Sequence, residues 1–287
     1  MNSPKEVAHN YIALGVTKTK LPVSKMLALG IMAGMFIALA GVGSTIASVT
    51  IASPSLSRLI GAAVFPVGLA MVLLAGSELF TGNNLIIIPV MQKEVTLSAM
   101  FKNWIFVYIG NFIGGIIIAA LTVYGGTFSL FGNAAAVSVI NTAVYKVNLT
   151  FMEVLLRGIL CNFLVCVAVW MAFAAKDVVG KIAGLFLPIM LFVLCGFEHS
   201  IANMYFIPSG LFASRNFDYL TAYISSGTGQ IGSLTWGSMI VRNLIPSTIG
   251  NIIGGTGIVG IGYWFIYLRE AKDPVQLQRT GKRKKKR

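Results

Sequence analysis

The chain has 287 residues, of which 56% are hydrophobic and only 11% are charged, and its formal net charge is +13. A typical soluble domain has roughly 25% charged residues. This composition excludes an ordinary soluble domain and indicates an integral membrane protein. The sequence also lacks a Ser or Cys nucleophile motif, an HExxH metal pattern and a phosphate-binding glycine loop, so we do not expect an enzyme.

Apolar windows that are nearly free of charge predict where the chain crosses the bilayer. A bilayer core about 30 Å thick needs roughly 20 apolar residues per helical span. Six such windows occur, at 26–48, 57–91, 101–124, 151–175, 182–213 and 237–268. The second and fifth are too long for one span, and both contain Gly, Pro, Asn and a carboxylate near the middle. We therefore expect an all-α polytopic membrane protein with six transmembrane helices, of which the second and fifth are broken inside the membrane.

The distribution of basic residues predicts the orientation, since six spans place both termini on one side. Of the 22 Lys and Arg residues, all fall on that side except Arg58, Lys146, Arg157, Arg215 and Arg242. The sequence thus predicts a multi-pass protein of the cytoplasmic (inner) membrane with both termini in the cytoplasm. Its expected parts are a cytoplasmic N-terminal segment, a six-span domain and a basic cytoplasmic tail, at 1–25, 26–268 and 269–287.

The basic tail ends in "GKRKKKR". A basic run that follows a final span is typical of contact with anionic lipid headgroups, and no nucleic-acid recognition module accompanies it. We therefore expect membrane lipid, and not nucleic acid, as the partner of the tail. Cys161, Cys166 and Cys195 lie in apolar windows without metal-ligand or CxxC spacing, so we predict no metal site and no cofactor.

Two pairs of short motifs recur three spans apart. The stretch "LLAGSELFTGNN" at 73–84 matches "VLCGFEHSIANM" at 193–204, and "YIGNFIGG" at 108–115 matches "TIGNIIGG" at 248–255. These pairs indicate two homologous three-span halves, and because three is odd, the second half enters the membrane inverted. Inverted repeats with broken helices place a substrate path at the repeat interface, near the midplane.

Each half carries a carboxylate at its expected break. Repeat one covers about 26–124 and contains Glu78, and repeat two covers about 151–268 and contains Glu198. Ionisable groups in spans are costly, so we interpret both carboxylates as acceptors for backbone N–H groups freed where the helices break. Direct contact with substrate is the alternative. The shared Gly-rich motifs are interpreted as sites of close helix packing.

Four ordered stretches resemble the formate/nitrite transporter family. They are "GSELFTGNNL" (76–85), "CNFLVCVAVWMAF" (161–173), "GFEHSIANMYFIPSG" (196–210) and "NLIPSTIGNIIGG" (243–255). The family includes formate, nitrite and hydrosulfide channels, and the resemblance extends from about residue 25 to residue 270. It implies an aquaporin-like protomer of inverted repeats and a homopentamer in which each protomer holds its own pore.

The resemblance also implies roles for individual residues. The substrate pore would contain Thr81 and His199 as its central pair, with the polar side chains Asn162 and Asn251 near the centre. Apolar constrictions and basic vestibules would flank this pair: Leu69, Phe192 and Phe65 on the cytoplasmic side, Leu79, Phe80 and Val165 on the outer side, Lys25 in the inner vestibule and Lys146 in the outer vestibule.

A small anion would meet a dry path between such constrictions. Burying an unpaired charge is prohibitive, whereas basic vestibules raise the local anion concentration. Desolvation near the apolar rings raises the proton affinity of the anion, so a weak acid could cross as a neutral molecule with Thr81 and His199 as a hydrogen-bonding station. His199 could be a proton donor, a counter-charge or a neutral partner. A permanently charged His199 is the least favoured, because burial penalises a charge.

The signature does not select one substrate. Thr81-Gly82 and Arg157 are similar to nitrite-type members, whereas Lys146 and the stretch "GYWFIYLRE" are closer to the formate type, and hydrosulfide fits the mixture as well. We therefore predict a channel for small monovalent anions of weak acids: formate, nitrite or hydrosulfide. A proton-coupled secondary anion symporter is the alternative, because it would need the same Thr81 and His199.

Overall fold

The computed structural model describes residues 1–227 and 229–269. The described residues form helices joined by turns, and no strand occurs among them. The α-helices are α1 (Pro4–Lys20), α2 (Val23–Ser48), α3 (Pro54–Val64), α4 (Val67–Leu74), α5 (Phe80–Asn83), α6 (Ile87–Met91), α7 (Leu97–Tyr124), α8 (Ala134–Asn148), α9 (Phe151–Ala174), α10 (Val178–Leu194), α11 (Ser200–Ala213), α12 (Phe217–Ser225), α13 (Trp236–Ser238), α14 (Ile245–Ile252) and α15 (Ile261–Tyr267).

Shorter helical turns complete the chain. The 3₁₀-helical segment Asn84–Ile86 joins α5 to α6, and a second 3₁₀ turn lies at Thr127–Ser129. The π-helical segments Met239–Leu244 and Ile253–Gly260 flank α14. The predicted tail lies outside the described residues from 270 onwards.

Five helical stretches among the described residues are long and apolar enough to cross a membrane: Val23–Ser48, Pro54–Leu74, Leu97–Tyr124, Phe151–Ala174 and Trp236–Tyr267. They fall in five of the six windows expected from the sequence. The remaining window contains α10 and α11, which have 17 and 14 residues. Neither reaches the length of a plain span, because the chain leaves the helical conformation between them.

Helix α1 was missed in the sequence, where residues 1–25 were expected only as a polar segment. It begins with a capping box in which the Ser3 hydroxyl accepts from the Glu6 N–H and the Glu6 carboxylate accepts from the Ser3 N–H at 2.6 Å. The Ser-x-x-Glu spacing, with Pro4 at the first helical position, was the available signal. Helices α8 and α12 were missed in the same way, between and after apolar windows.

The expected close packing at the Gly-rich motifs is confirmed. Helix α2 packs against α7, and α9 packs against α14, so that backbones touch. A Cβ atom at Gly114 would overlap the carbonyl oxygen of Ile31, and a Cβ atom at Gly254 would overlap that of Ile159. Each Gly-rich motif therefore lies where two helices pack with their backbones in contact.

The interior combines an apolar core with a polar centre. Large buried side chains such as Ile86, Leu185 and Met204 fill the core. Eight asparagines are also buried: Asn83, Asn84, Asn103, Asn111, Asn162, Asn203, Asn243 and Asn251. Buried amides need hydrogen-bond partners. The asparagine amides find these partners between the end of α4 and the start of α5, and between the end of α10 and the start of α11. The polar centre therefore lies between those helix ends.

Candidate functional site

Two helix interruptions form the framework of the site. Between α4 and α5, and again between α10 and α11, the chain leaves helical conformation for five residues. Gly76 in the first interruption has a φ of 78°, and Gly196 in the second has a φ of 68°. A residue with a Cβ is strained in this left-handed region. These two glycines therefore allow the chain to turn away from each helix at equivalent positions.

Asn111 on α7 connects the ends of the first interruption. Its side-chain amide donates to the carbonyl oxygens of Gly30 (2.8 Å) and Glu78 (2.9 Å). Its oxygen accepts from the Phe80 N–H at 3.0 Å, at the start of α5. One side chain thus satisfies the Glu78 carbonyl and the Phe80 N–H, two buried backbone groups at the interruption that have no helical partner and no water in a dry interior. We did not assign Asn111 from the sequence, although the motif at 108–115 contained it.

Asn251 performs the same task in the second half. Its amide donates to the carbonyl oxygens of Gly158 (2.8 Å) and Glu198 (3.0 Å), and its oxygen accepts from the Ser200 N–H at 2.9 Å. The resemblance had implied a place for Asn251 near the pore centre. It is buried there, but its side chain is fully used by the backbone, so its contribution is to hold the interruption.

The Glu198 carboxylate is held by side chains. It accepts from Lys146 Nζ (2.9 Å), Asn203 Nδ2 (2.7 Å) and Asn243 Nδ2 (3.1 Å). The expectation that it accepts freed backbone N–H groups is wrong in this respect, because Asn251 supplies the backbone with its partners. Glu198 instead joins α8, through Lys146, to α11 and the π-helical segment that carries Asn243.

Glu78 repeats this arrangement. It accepts from Lys18 Nζ and Asn83 Nδ2, both at 2.6 Å, and the Asn83 amide also donates to Asn103 at 2.8 Å. Asn103 in turn donates to the carbonyl oxygen of Lys18 at 3.3 Å, as Asn243 does to that of Lys146 at 3.1 Å. The two buried clusters therefore have the same composition: one Lys, one Glu and two Asn. Here too the carboxylate contacts side chains and not the freed backbone N–H groups.

Lys18, and not Lys25, is the basic residue at the first cluster. Lys25 lies in the first turn of α2 with an exposed side chain, and it does not line the cavity that Lys18 lines. The assignment of Lys25 to the inner vestibule is therefore corrected, and helix α1 is the reason for the difference. Because that helix was not predicted, no element was available to bring Lys18 next to Glu78.

Thr81 and His199 lie together between the clusters. Thr81 Oγ1 is 3.0 Å from His199 Nε2, and both residues are almost completely buried. His199 is also the N-cap of α11, since its Nδ1 accepts from the Ala202 N–H at 3.0 Å. An Nδ1 atom that accepts carries no proton, so in this arrangement Nε2 bears the hydrogen that is donated to Thr81.

Asn162 supports this pair from α9. Its amide donates to the carbonyl oxygens of Thr81 (3.2 Å) and Asn251 (2.8 Å), and to the side chain of Asn84 (3.0 Å). Asn162 therefore connects Thr81, just after the first interruption, to α14, the helix whose Asn251 holds the second interruption. Asn162 is near the centre, as the resemblance implied, with its donors directed to protein groups.

Two cavities approach the central pair from opposite clusters. The Lys146 cavity, of about 400 Å³, is lined by Lys146, Phe65, Phe192 and His199 among others. The rings of Phe65 and Phe192 meet edge to face, with centroids 5.7 Å apart, and Phe192 stacks on His199 at 5.7 Å. Aromatic side chains thus narrow this cavity directly beside the histidine.

The Lys18 cavity, of about 390 Å³, is lined by Lys18, Leu69 and Leu79 among others. The grouping of the constrictions implied by the resemblance is therefore corrected. Leu69 does not share a cavity with Phe65 and Phe192, and Leu79 lies on the Lys18 side. We call the region around Thr81 and His199, which separates the two cavities, the narrow zone. Leu69 follows Phe65 by one helical turn, so it lies on the other side of this zone.

The remaining two predicted constriction residues are buried but line neither cavity. Phe80 packs edge to face against Trp104 and Tyr108, with centroids 5.8 and 5.0 Å apart. Val165 is buried on α9, whereas Val169, one turn further on, lines the Lys18 cavity. Phe80 and Val165 therefore belong to the packing around the narrow zone.

The helical fold and the paired half-sites define a multi-pass membrane transport protein. The sequence matches the formate/nitrite transporter family model over residues 5–265. The formate channel FocA of Escherichia coli K12 is 40% identical over 263 residues, covering 89% of this chain and 91% of that protein. The uncharacterized transporter YrhG of Bacillus subtilis is 38% identical over 282 residues, covering 97% and 98%.

Two solved structures of channels are also similar to this chain. A pentameric formate channel with formate bound has a TM-score of 0.77 at 33% identity and covers 86% of this chain and 98% of its own. An FNT family ion channel has the same TM-score of 0.77 at 26% identity, covering 91% and 98%. The chain belongs to the formate/nitrite transporter family, whose members found here are transporters and channels and not enzymes.

Proposed function

We propose that the chain forms a homopentameric membrane channel for small monovalent anions of weak acids, with formate as its leading substrate. The related pentameric formate channel with formate bound and the similarity to FocA support the pentamer and the substrate. Nitrite and hydrosulfide remain in the proposed class, because both are monovalent anions with a neutral protonated form. The contact between Thr81 and His199 in the narrow zone between two cavities is the observation that carries the proposal.

The proposed topology is six spans in two inverted halves, with α3 to α6 as the broken second span and α10 with α11 as the broken fifth span. The matching clusters at Glu78 and Glu198 support it, because each half repeats the same contacts. We propose that the protein lies in the inner membrane and that both termini are in the cytoplasm. The Lys18 cavity is then cytoplasmic, the Lys146 cavity is external, and the basic tail contacts anionic lipid.

Permeation in this proposal depends on neutralising the anion. The walls of the narrow zone are apolar, with Leu69 and Leu79 on one side and Phe65 and Phe192 on the other. A bare anion would lose its hydration there without a compensating charge. Its protonated form loses far less, so the anion takes up a proton from the aqueous solution as it leaves a cavity and crosses as the neutral acid.

His199 acts as a neutral hydrogen-bond partner in this mechanism. Its Nδ1 accepts from the Ala202 N–H. A charged ring would carry a hydrogen on Nδ1, which would face the hydrogen of the Ala202 N–H, so the helix cap would be lost. A positive charge at the N-terminus of α11 would also oppose the helix dipole. Because Nε2 donates to Thr81, the threonine hydroxyl is free to donate to an oxygen of the passing acid.

Flux through reconstituted protein tests this function. We expect wild-type proteoliposomes to take up formate faster as external pH falls, and to take up nitrite and hydrosulfide by the same route. His199→Asn and Thr81→Ala should each slow formate uptake by about tenfold or more, the order of loss when one positioned polar contact of about 1.4 kcal/mol or more is removed. Unchanged flux and unchanged pH dependence in both variants would overturn the central assignment.

Matched controls exist for both substitutions. His9 is exposed on α1 and permits His9→Asn, while Thr122 on α7 bonds only its own helix backbone and permits Thr122→Ala. Both controls should transport at the wild-type rate. Asn at position 199 can still cap a helix, so a loss there reports the lost contact with Thr81 and not the loss of the cap.

The same measurement separates a channel from a proton-coupled symporter. An alternating-access cycle on the millisecond timescale limits turnover to about a thousand events per second. Uptake per protein well above that rate supports the channel. A lower rate that saturates and depends strictly on a proton gradient would support the symporter.

A further inference from the structure

The Lys146 cavity contains a basic residue whose charge is already balanced. Lys146 Nζ lies 2.9 Å from Glu198 Oε1, and the two side chains are only 12% and 2% exposed. A closely paired cation and anion have no net charge, so their field at the cavity mouth is that of a dipole and falls off steeply with distance. Lys146 is therefore a weak attractor for an incoming anion.

Arg157, near the same rim, is also engaged. Its guanidinium lies 3.8 Å from the Glu153 carboxylate and donates to the Tyr145 hydroxyl at 2.7 Å. Tyr145 lines the cavity, but Arg157 does not. Arg157 thus holds a wall residue in place and is partly balanced by its own helix neighbour.

Arg58 on α3 differs from both. It lines the Lys146 cavity, and among the described residues no carboxylate lies within ion-pair distance of it. Its Nε donates to the carbonyl oxygen of Leu194, the last residue of α10, at 2.7 Å. A guanidinium carries five N–H donors, so this single bond orients the group and leaves its Nη donors available.

Gly196 allows the guanidinium to occupy this position. A Cβ atom on residue 196 would overlap Arg58 Nη2. The guanidinium therefore lies directly against the turn that separates α10 from α11, two residues before Glu198. It is oriented by one bond and exposed to the cavity, and its planar set of donors matches the two oxygens of a carboxylate or of nitrite.

We propose that Arg58 is the residue that captures the small anion at the mouth of the Lys146 cavity, a role that the balanced Lys146 does not fill. This inference rests on the proposed function. Arg58 raises the local concentration of anion and orients it ahead of the aromatic narrowing formed by Phe65 and Phe192. It acts before protonation and before contact with His199, so it determines half-saturation and the dependence on salt.

The test measures formate uptake into proteoliposomes as a function of formate concentration at low and high ionic strength. Arg58→Gln should raise the half-saturating formate concentration by about threefold to tenfold and remove most of the salt dependence, because long-range attraction between charges is what salt screens. Arg58→Lys should keep the salt dependence. Arg215→Gln removes an exposed arginine that lines neither the Lys146 cavity nor the Lys18 cavity, and this variant is expected to behave as wild type.

Charge restoration separates anion capture from a purely structural role for Arg58 at the end of α10. Arg58→Cys is made in a Cys195→Ser background, because Cys195 is exposed whereas Cys161 and Cys166 are buried. The protein is modified in detergent with a cationic or an anionic methanethiosulfonate reagent and then reconstituted. The cationic adduct should recover the low half-saturating concentration, and the anionic adduct should raise it further.

The outcomes distinguish this inference from the proposed function. If wild-type protein takes up no formate, nitrite or hydrosulfide, the proposed function falls and this inference falls with it. If wild type transports formate but Arg58→Gln keeps the same half-saturation and salt dependence, only the role of Arg58 is overturned. Equal effects of the cationic and anionic adducts would likewise overturn it, since a structural cap does not respond to the sign of the added charge.

Discussion

The buried pair of Lys146 and Glu198 supports a quantitative prediction. Lys146→Gln removes the positive charge and leaves the Glu198 side chain, which is 2% exposed, with only the Asn203 and Asn243 amides as partners of its carboxylate. Breaking a buried ion pair on one side costs about 3–5 kcal/mol, because an uncompensated charge stays inside. We therefore expect Lys146→Gln to lose roughly that amount of folding free energy.

The double variant with Glu198→Gln should be more stable than Lys146→Gln alone. Glutamine at position 198 retains an oxygen that accepts from Asn203 and Asn243, and no charge remains to be desolvated. Replacing a buried pair by neutral groups is often close to neutral in free energy. We expect the second substitution to recover about 2–4 kcal/mol, and this recovery together with the cost of Glu198→Gln alone gives the coupling energy between the two side chains.

Unfolding in mixed micelles with increasing SDS, followed by tryptophan fluorescence, measures all four proteins of this cycle. The Lys18 and Glu78 pair provides an internal replicate, with side chains 15% and 7% exposed and a separation of 2.6 Å. If Lys146→Gln is within about 1 kcal/mol of wild type, or if the double variant is less stable than the single one, the view of this pair as a mutually dependent clamp is wrong.

Three further predictions concern the scaffold. Gly114→Ala should lower the free energy of unfolding by at least about 2 kcal/mol, because the new Cβ atom would overlap backbone atoms of α2. Gly257→Ala is the control and should leave stability unchanged, because there is open space around Gly257. Equal stability of the two variants would contradict the close packing at Gly114. Asn251→Ala should cost about 2 kcal/mol or more, since the Glu198 carbonyl and the Ser200 N–H lose their buried partner, and a loss below 1 kcal/mol would show that water replaces it. Tyr11→Phe removes the bond from its hydroxyl to the carbonyl oxygen of Gly82 and should cost about 1 kcal/mol; no change in the same SDS titration would show that this bond adds no stability.

The central pair shows how far sequence reasoning extends. His199 and Thr81 were assigned from motifs 118 residues apart, and the structure brings them into contact. That assignment came from the resemblance of the two motifs to the formate/nitrite transporter family, and the two motifs lie at the two helix interruptions. The same repeat contained Asn111 and Asn251 at matching positions, yet only the contacts show that both amides satisfy interrupted backbone.

The errors have a common origin in packing between distant segments. The resemblance implied Lys25 for the inner vestibule, whereas Lys18 lies at the first cluster, because α1 lies beside the first interruption and carries Lys18 to Glu78. The resemblance likewise implied that Leu69 and Phe192 lie on one side of the narrow zone, whereas they line different cavities, and only the packing of the helices decides which cavity an apolar side chain faces.

The sequence by itself determined that this chain is a membrane protein, and it predicted where the helices are interrupted and which half corresponds to which. Those properties depend on local hydrophobicity, on residues that cannot continue a helix and on repetition, all of which are written along the chain. Only the tertiary structure decided that Lys146 is balanced by Glu198, while Arg58, beside the same cavity, has no carboxylate within ion-pair distance in the described part of the chain. Whether a charge is free to attract an anion depends on what surrounds it in three dimensions, and segments far apart in sequence supply those surroundings.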